Sequence, residues 1–523
     1  MAVIEDRPSW DPRHEACTPA LTTDRTSPVL NGLVEILTNA DRITAVCGST
    51  PGETLALVEY LLGIVHASGH VPQDDDTWAD WVEDRTPLEP AATWLEAADP
   101  EDWDLFHPTR PLGQNSLLAP WLTEHGVGPA QLVIEHAGDY NQHFDHHHLH
   151  HPAPLPAAEA WRAMLTQHAY GIGGKTKTKA DWLGKNLPNG AVGRLGQRIR
   201  VLALGDTLGD TLRLNLTPGP RTAQGALNSS WTTGRSRRSF TGPKADAYRT
   251  VGGPADLHTV LGRSILLRPV TTPDGVAVDR VLMGAGELLS DLPDTFLQDA
   301  VMQTTTKDGK TQRLFLKASE SRALWREAHA LYAAVAKKGK GTDLYGRLAM
   351  LGRRRTPLWA VGLVAGNGKA VTWVADTFPT VPGRETALLQ AATEAASIVE
   401  HASKALYAAA ATAREIAYPN PTPREKAKLV QRFNGSPQLY AAAADHFHML
   451  LDDVADGIAP AEALTDYATE LAALTRRCLA QRLRSLPPSG DGHQARAEAE
   501  HKLNTVLANA KSPHHLKEAA TRA

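Results

Sequence analysis

The chain has 523 residues, 42% of them hydrophobic, and a formal net charge of −4. That length and apolar content support two or three domains with real cores, and exclude both a disordered chain and a uniformly cationic nucleic-acid coat. Three scattered cysteines, Cys17, Cys47 and Cys478, form no CxxC pair. They exclude a disulfide framework and a cysteine zinc ribbon, so the expectation is a cytoplasmic protein with no signal peptide or membrane segment.

Near the start, Val29, Leu30, Leu33, Val34 and Leu37 stand at helical spacing. PGETLALVEYLLGIVHAS, residues 51–68, opens with proline and is apolar on more than one side, which predicts a buried helix. The Trp-rich segment DTWADWVEDR and WLEAADPEDWDLFHPTRPLGQ follow. Residues 136–179 then hold two irregular loops with a helix between them, from Pro156 to Gln167. The first loop, containing Phe144 and His146, is crowded with histidines and reads either as a solvated low-complexity loop or as a metal site. His143 and His147 stand four apart, but zinc sites draw ligands from separated segments and orient them with supporting hydrogen bonds. The second loop has Gly171, Gly173 and Gly174 followed by Lys175, Lys177 and Lys179. Its spacing departs from the nucleotide-binding glycine motifs, and lysines at alternate positions suit a nucleic-acid backbone better than one compact ligand.

Residues 190–290 read as β-rich. Ile199, Val201 and Ala203 alternate, Leu212, Leu214 and Leu216 alternate more cleanly, and VAVDRVLMGAG follows a TTPDG turn. WAVGLVAGNGKAVTWVADTF reads as a hairpin turning at Gly366, Asn367, Gly368 and Lys369. Between Lys307 and Arg355 the chain carries thirteen Lys and Arg against four Asp and Glu, ending in Arg353, Arg354 and Arg355; GRSRRSF adds Arg235, Arg237 and Arg238. Such local basic stretches in an acidic chain point to nucleic acid. After Gly383 strand signals vanish. Alanine-rich helices are expected over 384–417, 423–457 (interrupted near Asn434–Pro437), 460–485 and 493–521, separated by short Pro/Gly breaks, which makes a four-helix bundle. The fold class is therefore α+β: a large mixed domain over 1–380 with irregular β-structure and helices, then a bundle over 384–523.

No catalytic constellation emerges: the chain has no Gly-x-Ser-x-Gly elbow, no His-Glu-x-x-His and no full phosphate-binding loop. The reading is non-catalytic and without cofactor. The alternative is a metal-dependent nuclease or hydrolase built on the histidine-rich loop.

The order of motifs resembles the CasA family, the large subunit of the type I-E CRISPR surveillance complex Cascade. The resemblance is carried by Asp104, Leu105, Phe106, Arg110, Pro111 and Gln114, then by QHFDH, the glycine loop, LALGDTLGDTLRLNL (residues 202–216), GGPADLHTVLGRSILLRPV (residues 252–270), the Trp-Arg of SESRALWREAHALY, and the hairpin. It implies a mixed N-terminal domain and a C-terminal bundle. It also implies recognition of a protospacer-adjacent motif in double-stranded target DNA, help in opening the duplex, and recruitment of a helicase–nuclease. The implied partners are the backbone, guide 5′-end and small subunits of Cascade, the guide RNA, target DNA and that effector, with no membrane. Residue by residue, it implies motif reading by Gly171, Gly173 and Gly174 and a wedge at Asn367, Gly368 and Lys369, where Gly368 replaces the family's glutamine. Phe144 and His146 fall in the loop that contacts guide RNA and neighbouring subunits. Arg268 is the nearest cation to the basic finger. Lys175, Lys177, Lys179, Arg353, Arg354 and Arg355 are the candidate DNA-backbone contacts.

Overall fold

The computed structural model describes residues 7–136, 153–196, 198–231, 238–243, 248–290, 302–307, 310–319, 323–336, 344–366 and 369–522. It divides into two compact units. The first comprises Met1–Arg322, Gly339–Leu351 and Thr356–Thr377; the second comprises Ala323–Lys338, Gly352–Arg355 and Phe378–Ala523.

The first unit is built round the helix Pro51–Ser68. Thr50 caps it by accepting the Glu53 amide at 3.2 Å, and Gly69 ends it with φ 71°. Fourteen of its eighteen residues are buried, as a helix apolar on all sides requires. The helices Glu89–Glu96, Ala157–Tyr170 and Pro254–His258 pack on it. Gly63 admits the last of these: a Cβ there would lie 2.5 Å from the Thr259 methyl.

One carboxylate lies inside this helix. Glu59 receives Arg200 Nε at 2.7 Å and His258 Nδ1 at 2.8 Å, and is also paired with Arg194. Burial by itself would raise the Glu59 pKa, but the two guanidiniums and the imidazole hold it well below the usual carboxylate range. His66, about two helical turns further on, stacks on His258 at 5.6 Å. Its Nδ1 bonds Gln224 Oε1 at 2.8 Å and its Nε2 faces the Thr217 amide at 3.5 Å. Both nitrogens of the neutral ring are thus used, and burial pushes its pKa down to about 3.

The β-structure consists of small separate sheets. Arg263–Thr272 and Gly275–Ala285 form an antiparallel hairpin, in register from Thr272↔Gly275 to Arg263↔Ala285 with an irregularity between Val278 and Arg280. Arg200–Ala203 pairs with Thr356–Gly366, and Lys369–Thr380 lies beyond it as the third strand. The second hairpin and the strand after the TTPDG turn match the sequence expectation, whereas the strand Arg263–Thr272 is not anticipated; the turn residues Asn367 and Gly368 lie outside the described residues.

Two local expectations are corrected. The alternation of Leu212, Leu214 and Leu216 predicts a strand, whereas Leu208–Asn215 is a helix. Thr207 caps it through the Asp210 amide, and every residue of it is buried, so all-round burial of a short helix produced an alternation that mimics a strand. Val29 and Leu30 are not helical either: they belong to the short strand Val29–Asn31, and the helix begins at Leu33.

The 104–114 motif is architectural. Asp104 Oδ1 accepts the Trp10 and Phe106 amides at 3.1 and 3.0 Å. Buried Gln114 donates to Leu105 O at 2.6 Å, accepts Leu267 N–H at 2.8 Å, and receives Trp231 N–H on its carbonyl at 3.0 Å. One side chain and its peptide therefore join three distant segments.

The second unit contains the helices Glu385–Ala417, Pro423–Phe433, Ser436–Asp456, Pro460–Leu483, Gly490–Leu507 and His514–Arg522. The interruption near Asn434 is present. The last helix, expected to be continuous, is broken at residues 508–513, ahead of which Ala508 closes the preceding turn through Asn504 O. The long helix buries eight alanines along one stripe, which lets its neighbours approach closely. Among the described residues no helix is long and apolar enough to cross a membrane.

The buried imidazoles generate a pH dependence. His66 and His168 (about 4, lowered by burial) refuse a proton that the unfolded chain takes up near its ordinary value of 6.5. Their folded pKa values are depressed, so their contribution is complete above 6.5 and is lost as pH falls towards 4, by at most ~1.4 kcal/mol per pH unit for each ring. The Glu59 contribution is lost only at lower pH, beneath its ordinary value of 4.5. Urea denaturation at pH 7.5, 6 and 5 should show falling stability, and His168→Gln should reduce the slope; a flat profile would contradict the assignment.

Candidate nucleic-acid interface

The glycine loop emerges from a helix tied to several neighbouring segments. In Ala157–Tyr170, Arg162 pairs with Glu53 at 2.7 Å and donates to Cys17 O at 2.8 Å. Gln167 donates to Leu132 O at 3.0 Å, and Trp161 meets the Tyr60 ring edge-on at 5.7 Å. His168 Nε2 bonds Gly113 O at 2.8 Å while its Nδ1 accepts the Arg263 amide at 3.3 Å, which fixes the neutral tautomer.

Beyond Tyr170 the backbone continues as a narrow ribbon. Gly171 closes the helix through Gln167 O at 2.9 Å, and its own carbonyl accepts Gly193 N–H at 2.7 Å. Gly173 lies against Val192, whose methyl would be 2.9 Å from an added Cβ. Gly174, at φ 155°, has nothing within 4 Å of a Cβ position: the ribbon is backed on one side and open on the other. Gly174–Lys175 pairs with Asn189–Gly190, and Thr176 N–H donates to Pro188 O at 2.8 Å. Along this strand-like stretch Lys175, Lys177 and Lys179 are exposed while Thr178 is buried. The alternation anticipated by the sequence therefore presents three ammonium groups on the outer side.

Two elements remote in sequence complete the surroundings. Ile172, Gly173, Val192 and Gly196 face Lys317, Ala318, Leu363 and Ala365 across a groove of about 230 Å³. Lys317 is exposed, and its backbone is held by the neighbouring Leu316 carbonyl, which accepts Ile199 N–H at 3.0 Å. Tyr170, immediately before the loop, meets the Trp373 ring edge-on at 4.7 Å, and Trp373 Nε1 donates to Glu135 at 2.5 Å. The hairpin strand that begins at Lys369 is thus packed against the root of the glycine loop.

Other candidate residues occupy different situations. Arg268 is paired across its hairpin with Asp279, Nε to Oδ1 at 2.8 Å, which neutralises it in place. Arg353 is exposed, Arg354 half-buried, and Arg355 is committed to Asp452 and Asp456 at 2.5 and 2.7 Å. The cation-rich stretch is also less basic than its count suggests. Arg347 is 1% exposed and lies 5.5 Å from the Trp78 ring, and Arg326 pairs with Glu400. Arg238 is buried and donates to Gly286 O at 3.0 Å. Phe144 and His146 lie outside the described residues, as do Arg235 and Arg237. Among the described residues no group of three His, Cys, Asp or Glu is placed to hold a metal ion.

Sequence reasoning singled out neither Arg263 nor Trp373, and counted Lys317 only within the basic stretch Lys307–Arg355. Arg263 ends the Asp-Leu-x-Thr-x-x-x-Arg pattern at residues 256–263, and that pattern was the available signal.

The family of CRISPR-associated protein Cse1 matches residues 19–478. The crystal structure of Thermobifida fusca Cse1 aligns with TM-score 0.74 at 20% identity, covering 99% of both chains. That of Acidimicrobium ferrooxidans Cse1 aligns with TM-score 0.72 at 20% identity, again over 99% of both. A chain of a CRISPR RNA-guided surveillance complex aligns with TM-score 0.68 at 20% identity, over 95% of this chain and 99% of that one. At such identity these likenesses establish a shared fold. No curated protein matches the chain significantly in sequence.

The exposed lysine row suits a phosphate backbone. Replacing Lys175, Lys177 and Lys179 together with Ala should weaken binding to all duplexes alike and lower the slope of log K against log salt by about 2 to 3. A titration of fluorescent duplexes from 50 to 300 mM salt, on the order of the range in which counterion release is resolved, checks it; an unchanged slope would remove the lysines from the interface.

Proposed function

Because the chain belongs to the family of the CRISPR-associated protein Cse1, we propose that it is the large subunit of a type I-E CRISPR surveillance complex, working by binding and without bond chemistry of its own. It recognises the protospacer-adjacent motif in double-stranded DNA, helps open the duplex for guide-RNA pairing, and helps recruit the helicase–nuclease. The observation that carries this reading is the glycine ribbon, backed by Val192, open at Gly174 and flanked by outward lysines.

A ribbon without side chains lets backbone approach the floor of a groove, and the lysines neutralise the adjacent phosphates. Minor-groove contacts distinguish bases only coarsely, so several related motifs are tolerated. The Thr356–Gly366 and Lys369–Thr380 hairpin, rooted beside the ribbon through Trp373 and Tyr170, supplies the wedge. Separating a base step costs a few kcal/mol, which the phosphate contacts offset. Pairing with the guide RNA then reads the remaining sequence. Phe144 and His146 contact the guide RNA and neighbouring subunits, and Arg353 and Arg354 add backbone contacts.

Co-expression with the neighbouring genes tests the assignment: the chain should co-purify with a guide-RNA particle, and purification as a free protein under all salt conditions would refute it. Within such a particle, Lys369→Ala should leave motif binding nearly intact and slow opening of the first base pairs, with recovery on a pre-melted target because the unstacking cost is already met. Equal opening rates on intact duplex, followed with a fluorescent base, would remove Lys369 from the wedge.

A further inference from the structure

Arg263 stands at the first position of the strand Arg263–Thr272 and is only 4% exposed. No carboxylate pairs with it among the described residues. Its guanidinium is spent on backbone carbonyls: Nη2 donates to Ile172 O at 2.7 Å, and Nη1 to Ala191 O at 2.5 Å and Gly262 O at 2.9 Å. Ile172 lies inside the glycine loop, and Ala191 lies on the segment that backs it. The Arg263 amide is in turn tied to His168, in the helix that leads into the loop.

The fit between loop and guanidinium is close. A Cβ on Gly171 would lie 2.5 Å from Arg263 Cζ, so the loop backbone rests directly on the guanidinium plane. A Cβ on Gly190 would lie 3.7 Å from the same atom. Burial lowers the Arg263 pKa to about 10, which leaves it charged at neutral pH. A buried cation without a counter-ion is costly unless something compensates it. Turning two carbonyls inward onto Arg263 fixes the course of the ribbon, and it places a positive charge beneath the surface that carries Lys175 and Lys177.

We infer that Arg263 is a positioning residue for motif reading: its fork holds the Ile172 and Ala191 carbonyls so that the Gly173–Gly174 backbone is presented in one conformation, over a buried positive charge. The inference rests on the function proposed above and names a determinant of its selectivity. Lysine cannot reproduce it fully, because one ammonium cannot hold three carbonyls in the geometry of a planar fork.

The test uses the assembled guide-RNA particle and a library of target duplexes whose bases flanking the guide-matched segment are randomised. The readout is the enrichment of particular flanking sequences among bound duplexes, alongside total binding and the melting temperature of the free chain. Wild type should enrich a biased set. Arg263→Gln should lower that bias by about tenfold, equivalent to one good base contact, with total binding to the unselected library reduced far less. Arg263→Lys should fall between the two. Gly171→Ala, which drives a methyl into the guanidinium from the other side, should lose the bias in the same way and guards against a folding defect peculiar to the arginine variants. Bias unchanged in Arg263→Gln or in Gly171→Ala would overturn the inference alone. Loss of total binding in step with bias, together with a large fall in melting temperature in both variants, would also overturn it, since the role would then be structural. A wild-type particle without any bias would overturn the proposed function and this inference with it.

Discussion

The ion cluster at Glu59 is the constraint on which the first unit depends. A carboxylate in the middle of a helix buried on every side is tolerable only with partners, and the partners come from elsewhere in the chain: Arg194 and Arg200 from the segment after the glycine loop, His258 from the short helix Pro254–His258. Removing one member of such a buried set typically costs about 3–5 kcal/mol, because the charges left behind have no water to turn to. The cluster therefore specifies where these segments lie against Pro51–Ser68. Arg194 and Arg200 bracket the residues that lead from the ribbon's backing strand to the strand Arg200–Ala203, so the register of that strand and the support of the ribbon follow from the same contact.

The candidate interface inverts the usual arrangement of a binding site. In the function proposed above its recognition surface is backbone, and side chains serve behind it as props or beside it as charges. In that proposal Gly171, Gly173 and Gly174 offer no side chain to carry specificity, so the proposed specificity rests on the course of the chain. That course is determined by Arg263, His168 and Val192 on the inner side and by pairing with Asn189–Gly190. The lysines alternate outward because Thr178 is drawn into the core, and Lys179 Nζ lies 5.9 Å from the Trp182 ring.

Much of the helical architecture was legible in the sequence. The helix over 51–68, the bundle helices and the break near Asn434 are marked by apolar periodicity and by Pro/Gly punctuation, signals that act within a few residues. The hairpin turning at Gly366–Lys369 and the TTPDG turn with the strand after it were legible for the same reason. The helix Leu208–Asn215 was not: its burial on all faces erased the periodicity, and only the Thr207–Asp210 cap distinguished it from a strand. The break at residues 508–513 escaped because Pro513 sits only at its end, with no glycine to mark its start. The basic stretch misled in another way, since counting Arg326, Arg347 and Arg355 ignores the Glu400 carboxylate, the Trp78 ring, and Asp452 and Asp456 that occupy them.

What the sequence by itself determined, then, is what local chemistry controls: where helices start and stop, where the chain turns, and that three glycines precede three alternating lysines. What the tertiary structure decided is which charges remain available and what holds the glycines in place. Arg263 lies 91 residues from Ile172, and Arg200 lies 141 residues from Glu59. Pairings at such separations leave no periodic trace in the sequence, because they depend on how distant segments stack once the apolar helices are buried, and that burial is a property of the whole chain.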